Sequence, residues 1–428
     1  MMRSSVILTT YLTVGLSASL FLSLHSPKAG AQDAPSTDTS APTVEPETPT
    51  QPAPTGPVLS VSESPVPQTQ APLETPTPAL EPPPAPPKPE PTPLKLSSFM
   101  HLTNRVQNFS DPQKLNRFSQ QGVLYLIATG DVTDKIGYQA AVVAAYGPTS
   151  ADSGSINGSL ALLDVIGKLD LYDEFHIWAG RMLVPSDRSN FSGFWFMGPW
   201  YYPGGYYNAV PSAPNFAGNS FFGAPVGPRQ GPDGRNDGAT VWGQFGGGLF
   251  KYYVGAYDVF NATNNPLISG RLNLALISPE PGYFHSSTYW GAKDILALGA
   301  SAQYQKSKGA QTDYSEVSVD ALFEKNIDGF GVIDLEGAFY KYFATGMDLS
   351  YFVVASYLTP QKIGVGHLQP LVRLQQAKPV GSDMWTIVEA QLGYIIANDG
   401  AKIALGYQWQ KAGDVKSNAL YLGLQLLK

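Results

Sequence analysis

Charged side chains in the second half of the chain stand at alternate positions of short segments whose other positions are apolar. Glu316, Ser318 and Asp320, for example, alternate with Val317 and Val319. Because successive side chains of a β-strand point to opposite faces, one face of such a segment suits hydrocarbon and the other suits water. The chemistry open to these charges is electrostatic, since charges that line an enclosed passage keep it wetted and select ions by sign.

Ten charged residues occupy polar positions of this kind and are our candidates for the wall of a water-filled interior. They are Lys135, Lys168, Arg271, Glu316, Asp320, Asp334, Glu336, Arg373, Glu389 and Lys402. Each could instead be a solvated wall residue or one half of a cross-strand ion pair. Because both signs are present in similar numbers, the charges do not predict a preference for anions or for cations.

Residues 185–238 form the longest stretch without alternation, and a second group of charged candidates lies in or beside it. The group is Arg181, Asp187, Arg188, Arg229 and Arg235. The stretch is aromatic-rich and contains no lysine. We expect an extracellular loop that folds inward and narrows the passage, with its rings packed on the wall. Stacking of these rings on sugars or other flat solutes is the alternative.

Arg181 breaks the alternation of its segment. Strict alternation would place it on the same face as Phe175 and Ile177, toward lipid. An arginine there costs about 2–4 kcal/mol near the membrane midplane. We therefore expect a bulge at Gly180 that turns Arg181 inward, or else a position at the membrane interface from which the side chain extends toward water.

The alternating segments extend over residues 97–428, and the last of them shows the pattern most clearly. In 417–427, Leu420, Leu422 and Leu424 share one face with Leu426, whereas Tyr421 and its alternate neighbours form the other. The remaining predicted strands are 122–131, 135–146, 159–168, 173–184, 239–248, 250–261, 266–278, 295–306, 314–326, 330–343, 348–359, 367–377, 383–397 and 401–411.

These fifteen strands predict an all-β fold, a transmembrane antiparallel β-barrel. Single-chain bacterial barrels close with an even number of strands, so one more is expected within 97–118, giving about sixteen. If the last strand ends in the periplasm, the loop 185–238 opens on the extracellular side. Residues 279–294 then fall on the periplasmic side, where turns are usually short, so they are expected to hide a small extra element.

The first 96 residues have a different composition. Residues 1–31 hold an apolar run that ends at Ala29, Gly30 and Ala31, which predicts a signal peptide cleaved before Gln32, with a membrane anchor as the alternative. Residues 32–96 contain 20 of the 37 prolines, so we expect a disordered periplasmic arm. The arm is either a passive spacer or a tether to peptidoglycan or another partner.

Composition also limits the function classes. The chain has no cysteine, and residues 97–428 are nearly neutral, with 23 basic and 26 acidic side chains, so we expect no nucleic-acid partner. The histidines that follow residue 31 have no metal-ligand spacing, so we predict no metal and no cofactor. We predict no enzyme, although His285, Ser286 and Ser287 leave a barrel hydrolase as a third hypothesis.

Three short motifs carry a family resemblance. Residues 179–185 (AGRMLVP), with the long loop after them, resemble the passage from wall to constriction in bacterial trimeric outer-membrane porins, in particular the phosphate-selective porin O and P family. Residues 251–261 (KYYVGAYDVFN) and 269–273 (SGRLN) are similar to that group as well. Two features differ from the family pattern: the loop lacks lysine, and the chain ends in Lys428 instead of an aromatic residue.

The resemblance implies a homotrimer in the outer membrane of a Gram-negative bacterium, in contact with its lipids. It implies passive diffusion of small hydrophilic solutes or ions, with anions such as phosphate as one candidate class. A structural anchor that tethers the periplasmic arm is the alternative hypothesis, because a closed barrel can hold an arm without conducting.

Overall fold

A computed structural model describes residues 94–109, 117–148, 156–203, 235–257, 265–306, 313–343 and 347–428. Sixteen antiparallel strands form a closed barrel, as predicted, in which each strand pairs with its neighbours in the chain and β1 pairs with β16. No helix among the described residues is long and apolar enough to span a membrane. The predicted signal peptide and nearly all of the predicted arm lie outside the described residues.

The strands of the first half of the barrel are β1 Lys95–Phe109, β2 Arg117–Asp131, β3 Ile136–Pro148, β4 Ile156–Tyr172, β5 Phe175–Leu183, β6 Arg235–Phe245, β7 Phe250–Tyr257 and β8 Leu267–Ala275. Those of the second half are β9 Ile295–Gln305, β10 Tyr314–Ile327, β11 Gly331–Phe343, β12 Met347–Leu358, β13 His367–Pro379, β14 Trp385–Ile395, β15 Ala401–Ala412 and β16 Val415–Leu427. The only helical element in the described chain is a 3-10 turn at Phe194–Phe196.

The strand that parity required within about 97–118 is β1, which begins two residues earlier than predicted, at Lys95, and closes the barrel. Phe99 pairs with Leu427 and Phe109 with Ser417 across the seam. The backbones of Ser98 and Lys428 extend this ladder with two hydrogen bonds of 2.7 and 2.9 Å. Closure satisfies the edge groups of both strands, as a barrel surrounded by hydrocarbon requires.

Alternation determines which side chains face outward, as the sequence predicts. On β16 the side chains of Leu420 and Leu422 are about half exposed on the outer face, whereas Tyr421 and Gln425 are buried inside. Several strands have other bounds than predicted. β2 begins at Arg117 instead of 122, and β6 begins at Arg235 instead of 239, because these strand ends are polar and carry no apolar alternation.

The two ends of the barrel differ in their connections. We call the end that holds Leu94 and Lys428 the terminal end, and the other the far end. Strand parity places the long connection between β5 and β6 at the far end and the connection between β8 and β9 at the terminal end. Described residues of both connections enter the barrel, so much of the buried core lies in its interior.

Candidate functional site

The chain enters the interior directly after β5. Residues 184–203, which we call the lumen loop, first contact the inner face of β8–β10. The carbonyl of Pro185 accepts hydrogen bonds from Ser269 and from Gln303, the latter at 3.2 Å. Arg271 donates to the carbonyl of Ser186 at 2.8 Å. These contacts hold the beginning of the lumen loop against this wall.

The lumen loop then contacts strands on the other side of the barrel. The Trp200 indole donates to Thr103 of β1 at 3.0 Å, and its backbone N–H donates to Gln391 of β14 at 2.7 Å. Lys402 of β15 donates to the carbonyls of Met197 and Gly198 at 3.0 and 2.8 Å. Because β9 and β1 are opposite each other in a ring of sixteen strands, the lumen loop crosses the interior from wall to wall.

The wall near β1 and β16 has a recess for the lumen loop. A Cβ atom on Gly423 of β16 would come within 2.0 Å of the Trp200 ring, so only glycine leaves room for the indole there. The ring also stacks on His101, with centroids 3.9 Å apart. The Trp200 ring therefore packs on the wall, which is the role that the sequence favoured over sugar stacking for the aromatic residues of the loop.

A second segment enters from the terminal end. Residues 276–294, between β8 and β9, form what we call the inner connection. No helix or strand forms in it, so the extra element expected there is absent and an irregular segment replaces it. Its Glu280 N–H donates to Gly248 in the β6–β7 turn at 3.1 Å. Thr288 and the backbone of Tyr289 donate to Glu324 of β10 at 2.8 and 2.7 Å.

The two segments meet at a buried ion pair. Both terminal nitrogens of Arg188 in the lumen loop lie 2.7 Å from the carboxylate oxygens of Glu280 in the inner connection. Both side chains are at most 1% exposed. Burial alone would raise the pKa of Glu280, but Arg188 holds it well below its usual range. Burial alone would lower the pKa of Arg188, but Glu280 raises it above the ordinary value.

His285 lies beside this pair, between two basic side chains. Its Nδ1 is 3.4 Å from the Lys251 ammonium, and its Nε2 is 3.4 Å from Arg271. Burial, with Lys251 next, lowers the pKa of His285 well below its usual value, which keeps the ring neutral. The hydroxyl of Ser287 donates to Glu336 at 2.9 Å, so it is directed at a carboxylate. This serine is therefore not poised to be activated by His285.

Among the ten residues predicted to line the inner wall, the prediction for Lys135 is wrong. It lies exposed in the β2–β3 turn at the terminal end, because the strand begins one residue later than predicted. The other nine are on the inner face. Arg271 pairs with Asp320 at 2.5 Å, and Arg373 pairs with Glu389 at 2.6 Å. The inner positions that carry these two pairs follow from the alternation, whereas the pairing of the charges does not.

The expected bulge at Gly180 is wrong, and Arg181 does not turn inward. The β4–β5 register is regular there, and Arg181 faces outward near the far end of β5. Its guanidinium forms two 2.9 Å hydrogen bonds with Asp237 of β6, which also faces outward. Arg181 therefore stays on the outer face, and the carboxylate of Asp237 on the neighbouring strand compensates its charge.

The other loop candidates have different positions. Asp187 is buried in the lumen loop and accepts from Asn190 at 2.6 Å. Arg188 forms the ion pair described above. Arg235 is the first residue of β6, and its side chain reaches Asp164 on the inner face of β4 at 3.0 Å. Arg229 lies outside the described residues.

Sequence reasoning missed the residues of the inner connection. Glu280, Tyr283 and Trp290 are buried there, yet they belong to no alternating segment. The Tyr283 ring stacks on Trp178 of β5, with centroids 4.5 Å apart. Only the length of this connection pointed to these residues, because the other connections at the terminal end are expected to be short turns. In the described part of the chain, no three His, Cys, Asp or Glu side chains converge to hold a metal ion.

Comparison with known proteins agrees with this architecture. No protein-family model and no curated protein matches the chain. Among solved structures, it is similar to OmpF of Salmonella typhi, in a complex with daunomycin, with a TM-score of 0.52, 11% identity, and 78% of this chain and 97% of that chain covered. It is also similar to OprB of Pseudomonas putida, with a TM-score of 0.54, 10% identity, and 78% and 94% covered.

Both neighbours are bacterial outer-membrane porins. At such low identity the likeness concerns the fold alone, so the chain has the barrel fold of bacterial outer-membrane porins. The likeness does not single out the phosphate-selective porin O and P family.

Proposed function

We propose that this protein is an outer-membrane porin, a water-filled channel for passive diffusion of small hydrophilic solutes or ions. The observation that carries the proposal is the closed barrel with an apolar outer face, a charged inner face and a loop folded across its interior. A closed barrel leaves no unpaired strand edge in hydrocarbon, and charged inner residues keep a passage wetted. The fold shared with OmpF and OprB supports the same conclusion.

The proposal includes the location and the assembly. The barrel lies in the outer membrane of a Gram-negative bacterium, with the terminal end and the arm, residues 32–94, in the periplasm. Residues 1–31 are removed on export, three copies assemble, and the arm is a spacer that can reach the peptidoglycan. In the barrel the far end is extracellular, so the lumen loop narrows the passage from outside.

Phosphate selectivity is not part of this proposal. A phosphate-binding constriction needs cations that are free to donate to an oxyanion. Arg188 and Arg271 are each paired with a carboxylate, and Lys402 donates to two carbonyls of the lumen loop. These three cations therefore hold the inserted segments in place. Small ions and neutral hydrophilic solutes are the solutes that we propose.

Single-channel recording in planar lipid bilayers tests this function. We expect ohmic current steps of constant size in KCl, because the passage is permanent and needs no voltage to form. Added phosphate should not block the chloride current, since Arg188, Arg271 and Lys402 already donate to groups of the protein. A barrel that inserts without conducting would contradict the proposal, and block by millimolar phosphate would restore the phosphate-selective alternative.

One observation favours the alternative, in which the barrel is only an anchor for the arm. Inner charged residues such as Lys402, Arg373 and Glu389 are at most 1% exposed, because the inserted segments cover the wall. Silence in the bilayer, together with loss of peptidoglycan association when residues 32–90 are deleted, would support the anchor.

A further inference from the structure

We infer that the inner connection is a second constriction element of the proposed channel and that Glu280 is the residue that positions it. This inference rests on the proposed function. A connection of this length could lie outside the barrel, in the aqueous space below the terminal end. Instead Glu280, His285 and Ser287 are at most 2% exposed inside the barrel. The passage is therefore narrowed from both ends, by the lumen loop and by the inner connection.

The inner connection is held across the interior by contacts at both of its ends. Near its start, the N–H of Gly282 donates to the Gln244 side chain of β6 at 2.9 Å. Near its end, the Trp290 indole donates to Asp399, in the β14–β15 connection, at 2.5 Å. Between these two points the inner connection forms no helix and no strand. Its middle is held on one side by the wall, where Ser287 donates to Glu336 at 2.9 Å, and on the other side by the lumen loop.

Two backbone hydrogen bonds join the middle of the inner connection to the lumen loop. The N–H of His285 donates to Phe191 at 3.1 Å, and the N–H of Ser287 donates to Phe196 at 3.0 Å. The Phe191 ring also packs on Tyr283, with centroids 5.0 Å apart. The two segments thus form one continuous barrier in the described part of the interior.

The Arg188–Glu280 pair determines whether this barrier stays together. Arg188 also donates to the carbonyl of Ser286 at 2.8 Å, and Tyr289 donates to Glu280 at 2.5 Å, so the pair links both backbones. Removing the Glu280 charge leaves Arg188, in a region of low dielectric, with only Asp320 at 3.9 Å, a carboxylate that already pairs with Arg271. Separation of the segments, with entry of water around Arg188, relieves that cost. Loss of the Glu280 charge should therefore widen the passage.

Recording of Glu280→Gln in planar bilayers tests the inference. We expect the unit conductance to rise roughly twofold, with a matching increase in the size of neutral solutes that pass in liposome swelling. Asp294→Asn is the matched control, because it removes one negative charge from the same connection at an exposed contact with Lys325. That control should conduct like the wild type. Arg188→Gln/Glu280→Gln leaves neither charge uncompensated, so this double variant should conduct close to the wild type, and a rise equal to that of Glu280→Gln would contradict the role of the unpaired Arg188 charge.

Cross-linking separates a failure of this inference from a failure of the proposed function. The chain has no cysteine, so Phe196→Cys/Ser287→Cys offers a single pair of thiols, on backbones already joined by a hydrogen bond. In membranes we expect an intramolecular bond that shifts the gel mobility of the denatured protein and is reversed by dithiothreitol. Either single-cysteine variant should show no shift.

The decisive variant combines the thiol pair with Glu280→Gln. Oxidation should return its raised conductance to the wild-type level, and reduction should raise it again, which a merely destabilised barrel would not do. Equal conductance of Glu280→Gln and wild type, or a missing cross-link, would overturn the inference and leave the porin proposal standing. A cross-linked barrel that never conducts would overturn the porin proposal itself.

Discussion

Gly423 on the inner face of β16 and Trp200 in the lumen loop illustrate how single residues shape this interior. The indole occupies the space in which a larger side chain at 423 would lie. The charged residues act in the same way, since Arg188, Arg271 and Lys402 each use their donors to hold an inserted segment. At this scale the inner wall is a binding surface for the protein's own loop.

Gly423→Val should therefore displace Trp200 and destabilise the barrel by about 1–3 kcal/mol, the usual cost of overpacking. Urea unfolding in detergent micelles measures the change. Gly167→Val is the matched control, because this wall glycine faces outward and a Cβ atom there meets only one backbone oxygen, at 3.9 Å. Equal unfolding midpoints for the two variants would show that the indole does not need this recess.

At the scale of the elements, the inner connection is tied to the β14–β15 connection by Trp290 and Asp399. Burial raises the pKa of Asp399 to about 6, against the opposing effects of Trp290 and Lys402. The raised pKa means that the folded barrel disfavours the ionised form of this carboxyl. Its contribution to stability is complete below the ordinary pKa of 3.8 and is lost as the pH rises through about 6.

Asp399→Asn should remove this dependence while keeping an oxygen that accepts from Trp290. We expect the variant to be more stable than the wild type at pH 7 and equally stable at pH 4. Urea unfolding midpoints at both values measure the difference. Asp414→Asn removes an exposed carboxyl from the β15–β16 turn and should follow the wild type at both pH values. A constant difference between Asp399→Asn and wild type would contradict the argument.

At the scale of the whole molecule, the barrel depends on the pairing of β1 with β16 across the full length of the chain. Deletion of residues 415–428 would leave β1 and β15 with unpaired edges in hydrocarbon, where each unsatisfied backbone group is costly. We expect loss of the compact, heat-modifiable form, as seen by gel mobility of unheated samples. Deletion of residues 50–63, equal in length but within the predicted arm, should leave that form intact.

The strands of the barrel wall could be predicted from the sequence, whereas the paths of the lumen loop and the inner connection inside the barrel could not. Fifteen strands were recognised from local alternation, and counting them gave the position of β1. The outward position of Arg181 shows the limit of such reasoning: its partner Asp237 is 56 residues away, and only the β5–β6 register brings the two together. Without that partner, the bulge was the reasonable expectation.

The sequence by itself determined that the chain forms a closed barrel, oily outside and polar within, because a period of two residues fixes the face of every side chain in a strand. It also determined the ends at which the connections lie, since strand direction alternates. Only the tertiary structure decided that residues 276–294 turn inward and that Glu280 meets Arg188, 92 residues away. Irregular segments carry no period, so their path follows from long-range contacts that become possible only after the barrel has closed.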